Sequence, residues 1–492
     1  MELKFQKSTV QYLKTALRQL ENQEQTQELR LPEDMPDIGR VLGSWGQIIL
    51  RSKEWRSDGI AFSGGIMVWV LYAPEDGAPP RWVESWIPFQ MKQDLDGSRD
   101  GTIRLQCALR FVDARSVSAR KMMLRCGIAA LAEAFVEDSE SCSIPGEVPE
   151  DIQLLTASYP VRLPREAGEK AFTVEETLEG APATDKIVYY HLEPKITETR
   201  IMGDKVVFRG TGNLHVLFAP ENGKLHSRDF QVPFSQYADL RGNLSPEAQA
   251  DIRMCVTSME LDKTAEGELN LKCGLLAQYL VDDREMLELV EDAYSTIRDV
   301  QLQKEGLELP AILETRQATV PVHGEVRQEA AELADVTFRP DFPTQQRGEK
   351  VEFTVPGQFQ VLYYGQEGTL QSASPRAEGQ WQMPSDEHSR TDAVVLPGSG
   401  PAGILGSGIS LEASPILYMT TRSTAGIPMV TGLNITERKA ESNRPSLILR
   451  RTGSSRLWDI AKSTGSTVAA IKQANGLEEE PVKDQILLIP IH

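Results

Sequence analysis

The chain is short of the residues that most often carry chemistry. Six histidines and five cysteines are spread through 492 residues. No two cysteines stand in a Cys-x-x-Cys pair, which removes the strongest zinc signal. An odd number of cysteines in a long chain suits a reducing compartment, so no disulfide is expected among Cys107, Cys126, Cys142, Cys255 and Cys273. Basic side chains are outnumbered, 52 against 71 acidic, for a net charge of −19. A field of that sign repels nucleic acid and anionic lipid, and neither is expected as a main partner. The local run Arg110, Arg115, Arg120, Lys121 and Arg125 reads as a solvated face. Met1 to Leu20 holds no apolar signal-peptide core, and no stretch approaches the length of a membrane span. A cytoplasmic protein without a membrane span is the expectation.

Motifs of catalysis are missing too. There is no Gly-x-x-x-x-Gly-Lys-Ser/Thr, no His-Glu-x-x-His and no Gly-x-Ser-x-Gly. The residues therefore nominate no catalytic, cofactor-binding or metal-ligating site, and an enzyme is not expected. A literal GxGxxG stands at Gly398–Gly403, after Ala393–Leu396. A dinucleotide site needs a helix to open there. Pro401 interrupts, Gly406 and Gly408 follow, and a Gly-rich loop leading into a strand at Ile409 is expected instead.

What the chain has is repetition. Val70-Leu71-Tyr72-Ala73-Pro74-Glu75-Asp76-Gly77 returns as Val216-Leu217-Phe218-Ala219-Pro220-Glu221-Asn222-Gly223, and more loosely as Val361-Leu362-Tyr363-Tyr364-Gly365-Gln366-Glu367-Gly368. Each reads as a strand entering a tight turn, closed by glycine. A period of domain size implies tandem domains rather than a solenoid. Ser85-Trp86-Ile87-Pro88-Phe89 is echoed by Phe230-Gln231-Val232-Pro233-Phe234 and by Trp381-Gln382-Met383-Pro384. Ile103 to Phe111 alternates, with Ile103, Leu105, Cys107, Leu109 and Phe111 on one face and Arg104, Gln106 and Arg110 on the other, as in a half-buried strand; Ile252–Val256 is its counterpart. Leu124-Arg125-Cys126-Gly127 matches Leu271-Lys272-Cys273-Gly274. Cys107 on an apolar face is expected to pack as a small hydrophobe.

The expected fold is mainly β, with three tandem β-sandwich-type repeat domains at 31–138, 151–283 and 309–437. Before them, Val10, Leu13, Leu17 and Leu20 recur at three- and four-residue steps, which predicts an amphipathic helix over Ser8–Gln27, within an N-terminal segment 1–30. Trp45, Trp55, Trp69, Trp82 and Trp86 fall in the first repeat; such a concentration suits a binding groove or a sandwich core and its rim, and the second is expected. Ser139–Glu150 reads as a joint, Arg284–Leu307 as charged and partly helical, and Arg438–Pro445 as a linker. His215 and His226 flank the second hairpin turn and are expected to face each other across it. The last segment, 446–492, reads as a strand (Leu447-Ile448-Leu449), a helix (Leu457, Ile460, Ala461), a second helix (Val468, Ile471) closed at Asn475-Gly476, and a strand at Ile486–Pro490.

That β-α-α-β segment resembles a LysM domain, carried by Leu457-Trp458-Asp459-Ile460-Ala461, Asn475-Gly476-Leu477 and Leu487-Leu488-Ile489-Pro490. The resemblance implies a groove for N-acetylglucosamine-containing glycan or for a partner. One wall would be Gly453, Ser454, Ser455 and Arg456, and the other would run from Asn475, Gly476 and Leu477 to Val482. The family's Gly-Asp-Thr is absent at the first wall, and Trp458 is expected in the core. Repeats followed by LysM resemble the SipL-like SPOCS-domain proteins of spore-forming Firmicutes. That resemblance implies a non-enzymatic scaffold of spore coat morphogenesis, acting from the mother-cell cytoplasm at the forespore surface. Spore coat proteins, among them a coat-forming ATPase, would be its partners, and no cofactor is implied. A peptidoglycan-binding tether is the alternative. A Cys-His wall hydrolase is a further one, and it would need an exposed thiolate beside a histidine.

Overall fold

The computed structural model describes residues 2–491 apart from 96–99, 182–183, 222, 265–266, 439–444, 454 and 480–483. The fold is mainly β. In chain order the strands are β1 Glu2–Lys4, β2 Gln6–Arg30, β3 Ile38–Arg56, β4 Gly59–Pro74, β5 Arg81–Asp94, β6 Thr102–Ser118 and β7 Lys121–Ile144. Then come β8 Ile152–Leu178, β9 Lys186–Met202, β10 Lys205–Ala219, β11 His226–Asp239, β12 Gln249–Lys263, β13 Leu269–Ser295 and β14 Arg298–Leu307. The third stretch holds β15 Ile312–Thr319, β16 Val322–Val326, β17 Glu332–Pro340, β18 Thr344–Arg347, β19 Lys350–Tyr364, β20 Leu370–Ala373 and β21 Arg376–Pro384. It continues with β22 Ser389–Leu405, β23 Ile409–Ser423 and β24 Ile427–Glu437. Last are β25 Leu447–Arg451, α1 Leu457–Thr464, α2 Val468–Asn475 and β26 Ile486–Pro490.

One strand order occurs three times. Sheets β2-β7-β6 and β3-β4-β5 come first, then β8-β13-β12 and β9-β10-β11. In the third, β15 and β16 share the first position beside β23, with β22 on its other side. There the second sheet centres on β19, flanked by β17, β18, β20 and β21. Within each unit the two sheets share a core. Phe62, Val68 and Val70 pack with Leu105, Leu124 and Ile128, and Phe208, Leu214 and Val216 with Leu271, Leu275 and Ala277. Each large side chain fully buried in this way contributes about 1.5–3 kcal/mol. Val70, Val216 and Val361 all lie on the central strand of their sheet, β4, β10 and β19, and are wholly buried. The turns after β4 and β19 need positive φ, supplied by Gly77 at 77° and Gly368 at 75°.

The segment 6–30 is a strand, not the expected helix. β2 pairs with β7 over its whole length, with a bulge between Thr15 and Leu17 that switches faces. Val10 and Tyr12 pack with Leu163 and Leu289, while Leu13 packs with Phe135 and Leu280. Burial on both faces plus a bulge mimics helical spacing. Arg284–Leu307 is likewise extended, as the end of β13 and β14, and β7 runs through the expected joint to Ile144. Gly398–Gly403 is no loop either: β22 carries it past β23 with register shifts at Leu396/Ser399 and Ser399/Ala402. A Cβ on Gly398 would lie 1.7 Å from the Ser414 carbonyl oxygen, so only glycine permits that approach. The linker 438–445 lies largely outside the described residues.

The long antiparallel pairs β2/β7 and β8/β13 extend beyond their sandwiches. A further sheet, β1-β24-β14, packs on them through Phe5, Ile152, Val290, Val430 and Leu433. The β25-α1-α2-β26 segment packs against β8 and β13 through Leu155 and Tyr294, with β25 antiparallel to β26.

Candidate functional site

The second and fifth strands of the three units meet at a common junction. β3 packs on β12, β9 on β22 and β17 on β6, so each unit's second strand touches the fifth strand of the next and the ring closes. Face residues expected in solvent are therefore buried. Arg104 is 3 % exposed, and its guanidinium bonds Glu133 of its own unit (2.8 Å) and Asp251 of the next (2.7 Å). Arg253 joins the same two carboxylates at 3.1 and 3.3 Å. Arg18 links Glu133 (3.2 Å) to Asp392 (3.6 Å), which Arg422 also holds at 2.8 Å. Burial alone would raise the Glu133 carboxyl, but Arg104, Arg253 and Arg18 overcome it and hold it well below the usual carboxylate range.

Beside this network lies a funnel of about 740 Å³, lined by strands of all three units. Gln47, Glu193 and Arg339 line it from β3, β9 and β17. They face Met67, Asn213 and Gln358, each three residues before the repeated valine, and so occupy one position in three copies. The three chemistries differ. The Gln47 carbonyl accepts from the Leu192 amide at 3.0 Å. Burial pushes the Glu193 carboxyl up to about 7. Arg339 has Nε and Nη1 buried with no hydrogen-bond partner among the described residues, and burial lowers its pKa. Trp45 stacks on Tyr189 with centroids 4.7 Å apart; Trp45 Nε1 has no partner among the described residues, and the Tyr189 hydroxyl has Thr337 beside it. The tryptophans Trp45 and Trp69 are thus at the contact of the first two units rather than inside one sandwich core.

His215 does not face His226. The hairpin register sets Phe218 opposite His226, which leaves His215 opposite Asp229 on one side and His191 on the other. Its Nδ1 meets Asp229 at 2.7 Å and its Nε2 meets Asp335 of the third unit at 2.8 Å. Burial opposes the charge, but Asp335 and Asp229 raise the imidazole to about 10, so it donates from both nitrogens. His191, with no carboxylate bonded to it among the described residues, is lowered to about 3 by burial and by His215, against a weaker pull from Asp229. All five cysteines are free. Burial raises Cys126 to about 12 and Cys255 and Cys273 to about 11, which suppresses the thiolate a hydrolase would use. Cys107 is raised by burial as well. Cys107 pairs with Ala130 and Cys126 with Val112, so the two are out of register for a bridge.

The residues singled out in the C-terminal segment fall into two groups. Gly453 holds a turn at φ 55°, and the Ser455 amide closes it on Thr452. Arg456 precedes α1, with its exposed side chain 3.5 Å from Asp459. Ser454 lies outside the described residues, as does the end of the second wall, 480–482. Asn475 is spent on structure: its amide donates to Ile471 and Leu488 carbonyls and accepts from the Leu488 amide. Gly476 caps α2 at φ 60°, and Leu477 packs against the small core. Trp458 is buried as expected, but part of its contact lies outside the segment. Its Nε1 donates to Asp292 at 2.8 Å, its ring meets Tyr294 edge-on at 4.8 Å, and Lys462 also bonds Asp292 at 2.7 Å. The opposite face of β25 and β26 is bare, with Leu447, Leu449 and Ile486 exposed.

The sequence reading missed Arg339, Glu193, Asp335 and Asp292. The first two were within reach, because counting back three residues from each repeated valine and crossing to the paired strand finds them. Asp335 and Asp292 act on partners more than a hundred residues away, and no local signal marks them.

Residues 184–264 match the family model described as SipL, SPOCS domain. That stretch contains β9 to β12 of the second unit. No curated protein and no solved structure matches the chain.

Proposed function

We propose, on the premise of the SipL-like SPOCS domain at 184–264, that this chain is a non-enzymatic scaffold of spore-coat assembly, built from three SPOCS-like domains and a LysM-like docking module. The single observation that carries it is the family match. The strand order shared with the first and third units extends the reading to the tandem domains at 31–138, 151–283 and 309–437. The N-terminal strand β2 and the ends of β7 and β13 are read as parts of these domains. Burial of the thiols and the absence of a nominated active site favour assembly over wall hydrolysis.

The module, 446–492, is read as a protein-docking unit, with spore coat proteins and a coat-forming ATPase as the expected partners in the mother cell at the forespore surface. Its one aromatic residue, Trp458, is turned to β13, so no ring is free to stack on a sugar. Asn475 has no amide group to spare for a glycan. The exposed leucine and isoleucine face instead suits an apolar protein surface. The test uses the full chain, immobilised, against purified coat ATPase and against insoluble peptidoglycan. Arg456→Ala is expected to weaken ATPase capture with unchanged circular dichroism. Micromolar binding to peptidoglycan, with capture unaffected by Arg456→Ala, would establish the tether reading instead.

A further inference from the structure

The junction funnel has a chemistry that assembly does not use. Of the cations around it, Arg253 is neutralised by Glu133 and Asp251, Arg200 lies 2.7 Å from Glu198, and Lys195 is half-buried on β9. Arg339 is different. Its guanidinium makes no ion pair or hydrogen bond among the described residues, although a buried unpaired cation costs several kcal/mol. A further donor lines the same space without a partner among the described residues: Trp45 Nε1, on a side chain 3 % exposed; the Tyr189 hydroxyl, on one 1 % exposed, stands there too beside Thr337. An unpaired guanidinium and an unpaired indole N–H on one cavity, with a tyrosine hydroxyl between them, call for an acceptor-rich ligand carrying negative charge.

We propose that the funnel binds a small-molecule monocarboxylate, with its oxygens on Arg339, Trp45 Nε1 and the Tyr189 hydroxyl and its apolar body against Ile48, Leu109, Ile252 and Phe338. Arg339 and Lys195 line the funnel against the carboxyl of Glu193, so one anionic charge balances the set and a dianion such as phosphate would keep one charge unpaired. The volume, about 740 Å³, is in the range of small-molecule sites and far exceeds a bare inorganic ion. Because Gln47 and Glu193 hold the equivalent positions, the binding belongs to the third unit's copy alone. It converts a three-unit scaffold into one whose closure responds to a metabolite, since the ligand would touch β3, β9 and β17 together.

Isothermal titration of the full chain with acetate, butyrate and benzoate, and with inorganic phosphate at matched ionic strength, tests this. Saturable binding that tightens from acetate to benzoate, with phosphate weakest, is expected. Arg339→Gln should weaken benzoate at least tenfold while keeping the circular dichroism of wild type. Trp45→Phe, which removes one donor and keeps an aromatic ring, should weaken it about threefold to tenfold. No saturable carboxylate binding by the wild-type chain overturns the proposal, as does benzoate binding unchanged in both variants. Phosphate binding tighter than benzoate overturns the monocarboxylate class.

Discussion

At the scale of single residues, the junction depends on charges that only their partners make tolerable. Asp335 is 2 % exposed and bonds the His215 imidazolium from another unit. Removing one partner of such a pair leaves a buried charge uncompensated, so His215→Ala should cost about 3–5 kcal/mol in urea denaturation. The sign with pH is also fixed. The folded value of His215, about 10, lies above the ordinary one, so its contribution is complete below about pH 6.5. It is then lost as pH rises towards 10. The urea midpoint should fall between pH 6.5 and 10 in the wild type and should be flatter over that window in His215→Gln. Glu133→Gln should cost a similar 3–5 kcal/mol, because Arg104 and Arg253 are both buried against it. Glu133 has the opposite pH sense. Its depressed carboxyl stabilises above about pH 4 and loses that contribution as pH falls through its folded value.

At the scale of elements, what could be read depended on which contacts were local. The hairpin turns and the β-α-α-β order of the last segment rest on neighbours in sequence, and the structure holds them where the pattern put them. The alternation of β6 holds only to Leu109, because a bulge before Phe111 turns Val112 and Ala114 to the core in its place, and Arg104 on the other face is buried. β2 failed because its apolar residues serve two different cores, with Val10 in one and Leu13 in another, and a bulge between Thr15 and Leu17 then resets the alternation. The charged stretch 284–307 failed for a related reason: its side chains answer to β8 and β24 rather than to each other. Trp458 shows the same division. Its burial was legible, but its acceptor, Asp292, is 166 residues away. This contact can be isolated. Trp458→Ala should cost the module about 3–5 kcal/mol and unfold it, which says nothing of docking. Asp292→Ala leaves the module's own core intact and removes the acceptor shared by Trp458 and Lys462. Limited proteolysis should then cut between β24 and β25 faster than in the wild type, with α1 and α2 still helical by circular dichroism. Unchanged proteolysis would mean that the Tyr294 contacts suffice for docking.

At the scale of the whole molecule, three units of one strand order close a ring through their second and fifth strands. A single chain can place different residues at equivalent positions, and this one does so with Gln47, Glu193 and Arg339. It builds one asymmetric junction from repeated parts. Acidic surface, buried thiols and an exposed apolar face on the last module fit a scaffold that meets other proteins. The most direct measurement is thin-section electron microscopy of sporulating host cells lacking the gene. The account predicts forespores that form and are engulfed but whose coat layers fail to attach around them. Normally coated spores, or a defect confined to the wall of growing cells, would contradict it.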